Sequence, residues 1–136
     1  MNPYDADAAQ YLGALYLGAA EWENSIKYYL MAIEIDPIMK KLWGGALLFG
    51  YVANGQLEEA SKVMVYQLEL NSTDSRPLGW SAFIYGLLGN KEKASDYLQK
   101  YLQLRPEIAT ADDYAKVMPE FLKKQALEGM PVAGLE

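Results

Sequence analysis

The chain has no cysteine and no histidine among its 136 residues. Without thiols there are no disulfides and no thiolate metal sites. Without imidazole the commonest general base and metal ligand are missing, and no serine has a histidine to activate it. Positive charge is also short. Twelve Lys and Arg stand against 18 Asp and Glu, a net charge of −6, which disfavours nucleic acid, whose phosphates require clustered basic residues. Long apolar runs are absent. The longest, Trp43 to Ala53, contains glycines and falls well short of the roughly 20 residues of a membrane span. Met1-Asn2-Pro3-Tyr4-Asp5 lacks the charged-then-apolar signature of a secretory leader. A soluble, cytoplasmic chain is expected. Its start, a few residues ahead of the first repeated element, implies a fragment cut from a longer protein.

Apolar residues make up 51% of the chain, enough for a core and too many for a disordered segment. The tyrosines carry a period. Tyr16, Tyr51 and Tyr85 lie 35 and 34 residues apart, and four residues after each comes Ala20, Gly55 or Gly89. Nine after each is a small residue (Ser25, Ala60, Ala94), and thirteen after each a large apolar one (Tyr29, Met64, Leu98). Twenty-one after each stands Pro37, Ser72 or Pro106. Within the first copy, Tyr11, Leu12, Leu15 and Tyr16, then Ile26, Tyr29, Leu30 and Ile33, follow the spacing of amphipathic helices. Each copy therefore reads as two helices joined by a tight turn. The glycines take the left-handed position that ends the first helix, and the small residue lets the second approach it closely. Pro37 and Pro106 end the second helix. In the middle copy, Asn71-Ser72-Thr73-Asp74-Ser75 supplies helix N-cap candidates in their stead.

These residues resemble the tetratricopeptide repeat family, in which W-x2-L-G-x2-Y is followed by A-x3-F and then P. Leu12, Gly13, Tyr16, Ser25, Tyr29, Ala32 and Pro37 carry the pattern in copy one. Gly44, Leu47, Tyr51, Gly55, Ala60 and Met64 carry it in copy two, and Leu78, Ala82, Tyr85, Gly89, Ala94, Leu98 and Pro106 in copy three. The departures are a missing Trp, Leu48 at a small site, and Gln67 and Tyr101 in place of small residues, which imply looser packing in copies two and three. The resemblance implies an all-α, right-handed helical solenoid. Residues 5–106 form three helix-turn-helix repeats (about 6–38, 41–73 and 75–107), and residues 108–136 form a C-terminal capping helix and tail.

In that tail Thr110 is an N-cap candidate with Asp113 three residues on. Ala111, Tyr114, Ala115 and Met118 make one apolar face, Pro119 interrupts it, and a helix resumes from Phe121 to Glu128 and stops at Gly129. A terminal helix with one apolar side is the expected lid on the last repeat. The ordered motifs Leu104-Arg105-Pro106, Thr110-x-x-Asp113-Tyr114, Met118-Pro119, Leu127-Glu128-Gly129-Met130 and Ala133-Gly134-Leu135 also resemble the C-terminal repeat region of bacterial class III adenylate/guanylate cyclases. The Pro119–Gly129 segment is shorter than in that family, and Pro131 departs from it. The terminal Leu135-Glu136 reads equally as native sequence or as a cloning remnant.

No catalytic, cofactor or metal residue is expected. Glu58-Glu59 and Lys91-Glu92-Lys93 fall at helix starts, where carboxylates favour the positive end of the dipole. Asp112-Asp113 lacks the alternating oxygen ligands of a cation loop. Trp43-Gly44-Gly45 has neither the spacing nor the strand of a phosphate-binding loop.

The family resemblance implies that the first helices line a concave groove. Its candidate lining is Gln10, Leu17, Phe49, Val52, Arg76 and Phe83. The carboxylate clamp by which related groves hold chaperone tails is not expected, because Gln10, Ala14, Gly45, Arg76 and Trp80 stand at its positions and only Arg76 suits it. An apolar peptide or helix fits better, and a second copy of the chain is an alternative occupant. Leu17, Phe49, Val52 and Phe83 also read as interior packing, against the terminal segment among others. Trp22, Tyr28 and Tyr66 are candidates for a self-association surface on the opposite side. The expected function is a non-catalytic protein-interaction or self-assembly module, in a bacterial signalling protein such as a nucleotide cyclase. The alternative is a free-standing adaptor for an apolar peptide.

Overall fold

A computed structural model describes residues 5–70 and 73–136. Its helices are α1 (Ala6–Gly18), α2 (Trp22–Ile35), α3 (Ile38–Ala53), α4 (Leu57–Leu70), α5 (Arg76–Leu87), α6 (Lys91–Leu104), α7 (Ala111–Lys116) and α8 (Lys123–Ala133). A short 3-10 turn, Glu120–Leu122, precedes α8, and no strand occurs among the described residues. The fold is an all-α helical repeat. The chain forms two compact units, one ending at Val63 and the other beginning at Met64. Asn71 and Ser72 of the N-cap run, and Met1 to Tyr4, lie outside the described residues.

The tyrosine period marks one recurring turn. Glu21, Gln56 and Asn90 donate their backbone N–H to the carbonyls of Tyr16, Tyr51 and Tyr85 at 2.9, 2.8 and 2.9 Å. Each bond closes a helix end whose last carbonyls would otherwise lack donors. The closure needs a left-handed residue, which Gly55 (φ +77°) and Gly89 (φ +79°) supply freely. In the first copy Ala20 takes that conformation with φ +61°. Its Cβ makes the geometry costly, by about 1 kcal/mol.

In the first unit α1 packs through small residues. Its buried positions are Ala6, Ala9 and Gly13. Tyr11 and Leu15, expected on the packing face, are 61% and 51% exposed. The reason is distance. A Cβ on Gly13 would lie 3.0 Å from the ring of Tyr29, so the α2 tyrosine lies flat on bare backbone. Ser25, buried at the small position of copy one, donates its hydroxyl to the Gly13 carbonyl at 2.8 Å. The hydroxyl thus satisfies itself while keeping the helices close. Ala6, Ala9, Ala32 and Met39 complete this core, with Met31 and Ile33 packed against it. Burial pushes the Tyr29 phenol up to about 12.

The second unit encloses a tyrosine pair. Tyr101 and Tyr114 meet edge to face, their centroids 5.5 Å apart at 87°, the arrangement aromatic quadrupoles favour. Phe83 lies 6.0 Å from Tyr114. Leu48, Gln67 and Tyr101, the departures from the family pattern, are all buried, so these larger side chains are accommodated in the interior.

The tail keeps one expected feature and departs in another. Thr110 and Asp113 do form a reciprocal capping box at the start of α7. Gly129, however, lies within α8, which runs through Pro131 to Ala133. The stop is Gly134, with φ +114°. The Leu135 N–H then bonds the Met130 carbonyl at 3.0 Å, and the Gly134 N–H that of Pro131 at 3.1 Å, a Schellman closure. Leu135 is only 5% exposed and belongs to the fold.

Ala20→Gly should raise stability by about 0.5–1 kcal/mol, seen as a thermal midpoint a few degrees higher. Gly55→Ala should lower it by a similar amount. In alkali, a phenol that ionises near 10 when unfolded but near 12 in the fold stabilises the native state below about pH 10. Stability should therefore fall as pH rises from about 10 through about 12, and Tyr29→Phe should remove part of that slope in thermal melts.

Candidate protein-binding site

The groove candidate Phe83 sits in a row with Gly79 and Gly86 along one face of α5. The chain covers this row with its own tail. A Cβ on Gly79 would meet the ring of Tyr114 at 2.9 Å and that of Tyr101 at 3.0 Å. A Cβ on Gly86 would fall inside the Gly129 carbonyl, and one on Gly129 inside the Phe83 carbonyl. Helices α5 and α8 thus touch backbone to backbone. Phe83 has no exposed surface. The structure places it in the interior of the second unit, not on an open groove. Val52 is buried as well.

Arg76 remains exposed at the start of α5 but is already engaged. Its Nη2 lies 2.8 Å from Asp74 Oδ2, and its guanidinium carbon is 5.9 Å from the Trp80 ring centroid. Hydrogen bonding from Arg76 holds the Asp74 carboxyl below its usual range. In the first unit, Gln10, Leu17 and Phe49 are half-buried. Leu17 packs towards α3, where a Cβ on Gly50 would meet it at 3.8 Å. Trp22, Tyr28 and Tyr66 are also half-buried. Tyr28 is stacked on Tyr16, centroids 5.5 Å apart and planes 11° from parallel.

The apolar surface that stays open is elsewhere. Tyr11 and Leu15, one turn apart on α1, are the clearest case. Leu42 (61% exposed) and Trp43 (38%) on α3 add to it. The equivalents of Leu15 in the other copies are Gly50 and Ile84, both buried, and of Tyr11 in copy three Trp80, also buried. Gly50 shows why: a Cβ there would meet Ile26 of the preceding hairpin at 3.3 Å. Within the first unit, Gly50 thus marks the face by which α3 stacks on the hairpin before it. Alignment of the three copies could have flagged Leu15, whose counterparts Gly50 and Ile84 are both buried. Amphipathic spacing alone assigned them to the core.

Acidic groups do not gather. Among the described residues no three Asp, Glu, His or Cys side chains converge as a metal site. Asp113 is held in the capping box by the N–H groups of Ala109 and Thr110, which lower its carboxyl below the usual range. No helix among the described residues is long and apolar enough to cross a membrane.

Residues 76–108, the α5–α6 hairpin and the turn after it, match the family model of the tetratricopeptide repeat. No curated protein matches the chain. The third helix pair is therefore similar to a tetratricopeptide repeat in both sequence and structure.

Gly86→Ala should destabilise the fold by about 3 kcal/mol or more, because only backbone stands in the way of the new methyl. Gly18→Ala, with nothing within 4 Å of the new atom, should be neutral or mildly stabilising. Phe83→Ala should cost about 3–5 kcal/mol through its cavity. Urea melts of the three variants check these values.

Proposed function

We propose that this chain is a non-catalytic protein-interaction module that works by self-assembly or by docking a partner protein. The observation that carries the reading is the tetratricopeptide match over α5 and α6, joined to the open stacking face of α1. Repeats of this kind are protein-binding scaffolds. The three repeats span about 6–38, 41–73 and 75–107. The order of the tail motifs supports a place in the C-terminal regulatory region of a bacterial signalling protein such as a nucleotide cyclase, acting in the cytoplasm. That part rests on the tail resemblance alone.

Covering of the α5 row by α7 and α8 moves the binding surface in this reading. The candidate becomes Tyr11 and Leu15 on α1, where equivalent positions stack against a neighbouring hairpin. Exposed apolar groups at helical spacing are what another helix would bury. Homodimerisation through this face is the leading form.

Light scattering after size-exclusion chromatography, over a concentration series, tests it. The wild-type chain should run as a dimer, and Tyr11→Glu with Leu15→Glu should run as a folded monomer by circular dichroism. A wild-type monomer at all concentrations removes self-assembly and leaves docking of a partner protein. A dimer unaffected by the double change rules out the α1 face.

A further inference from the structure

Charge is unevenly shared within the first unit. The α1–α2 hairpin, residues 5–36, carries Asp5, Asp7, Glu21, Glu23, Glu34 and Asp36 against Lys27 alone. That is a net charge of −5 in a chain whose total is −6. Asp5 and Asp7 stand at the start of α1, Glu21 and Glu23 just past its end, and all four are exposed. The open face of Tyr11 and Leu15 is therefore bounded by carboxylates at both ends. Helix α3 is the opposite case, with Lys40 and Lys41 and no Asp or Glu in its 16 residues. One face of α3 bears Ile38, Lys41, Leu42, Gly45 and Ala46, which follow helical spacing. Ile38 and Leu42 are 49% and 61% exposed. Lys41 is exposed, and Gly45 and Ala46 are half-buried.

Two α1 faces make poor partners for each other. Laid parallel, the aspartates of one copy meet those of the other. Laid antiparallel, Asp5 and Asp7 meet Glu21 and Glu23. Either way like charges face each other across the rim, which selects against the pairing. The α3 face meets α1 on better terms. With the two helices antiparallel, Leu15 of one copy can lie over Leu42 of the other. Four residues along each helix, the same rise puts Tyr11 over Gly45 and Ala46. A broad ring then meets small residues, the fit that Tyr29 already makes with Gly13. Glu21, beyond the end of α1, comes to the end of α3 that carries Lys41.

We propose that two copies of the chain pair with α1 of each against α3 of the other. As first helices of successive hairpins, α1 and α3 are neighbours in contact within one unit, so a single two-fold axis between them serves both contacts. The two contacts are identical, and the assembly closes as a dimer. Apolar burial holds it, and the lysine–glutamate pairs at its ends choose α3 over a second α1. This inference rests on the reading of α1 as a self-assembly face, and it names the surface of the second copy that α1 takes.

Because the chain has no cysteine, site-directed disulfide trapping tests the pairing in the whole protein. Leu15→Cys and Leu42→Cys both change exposed side chains. Mixed under mild oxidation, at concentrations where light scattering shows the wild-type dimer, the two variants should yield a 15–42 linked dimer, identified by peptide mass spectrometry. Each variant alone should give little linked product. In a second arm, Lys41→Glu should weaken the dimer about tenfold, since it turns two attractive pairs repulsive. Adding Glu21→Lys to that variant should restore it. Strong linking of Leu15→Cys to itself, or no 15–42 link in a chain that dimerises, would overturn the pairing while leaving assembly through α1 standing. Undiminished dimerisation of Lys41→Glu, or no rescue by Glu21→Lys, would overturn it too. A wild-type chain that stays monomeric at all concentrations removes both this pairing and self-assembly.

Discussion

Helices in this protein come together where a side chain is missing, and that close approach governs the rest of the packing. Its extreme form is the crossing of α5 and α8, where Gly86 and Gly129 bring two backbones into contact with no room for a Cβ on either. The same principle sets α1 on α2, where Gly13 accepts the flat face of Tyr29. A large side chain on one helix then needs bare backbone opposite it. This explains why tyrosines are so prominent in the interior while their partners are Gly, Ala and Ser. A broad ring buries much area with few rotatable bonds, and the glycine pays nothing in displaced side chain.

Close packing of this kind leaves few polar groups to explain. Ser25 turns its hydroxyl onto the Gly13 carbonyl, and Ser81 onto that of Pro77 at 2.7 Å. Both are buried and both are satisfied, Ser81 within its own helix and Ser25 across to the paired helix α1. The charged residues sit largely at helix ends and on open faces. Asp5 caps α1, Asn90 caps α6, and Thr110 with Asp113 closes the start of α7.

Much of this was legible in the sequence. The tyrosine period located the three turns because the turn itself needs a left-handed residue at a fixed offset, and two of the three are glycine. The capping box was legible for the same reason: its two side chains act on backbone only three residues away. What periodicity alone misassigned were positions whose role depends on which side of a helix its neighbour approaches. Tyr11 and Leu15 have the spacing of core residues, yet α2 reaches α1 through Gly13 on another side. Gly129 looked like a helix stop because glycine usually is one, whereas here it serves as a crossing point and Gly134 ends the helix. Phe83 reads from its position both as a groove residue and as interior packing against the terminal segment, and its burial beside Tyr114 fits the second. Ala20 shows a different limit. The position demands glycine, alanine occupies it, and the six-residue hydrogen-bonded closure imposes the backbone regardless.

The copies differ most where their interiors need not agree. The turn and the small residue of the second helix are held in all three, because an error there would separate the paired helices. The position twelve residues after the tyrosine is freer, and it takes Tyr, Val and Tyr in turn. A valine replaces a ring there and is still buried, so this position accepts side chains of different size. The crossing of α5 and α8 does not: Gly86 and Gly129 meet backbone to backbone, and one added methyl has nowhere to go.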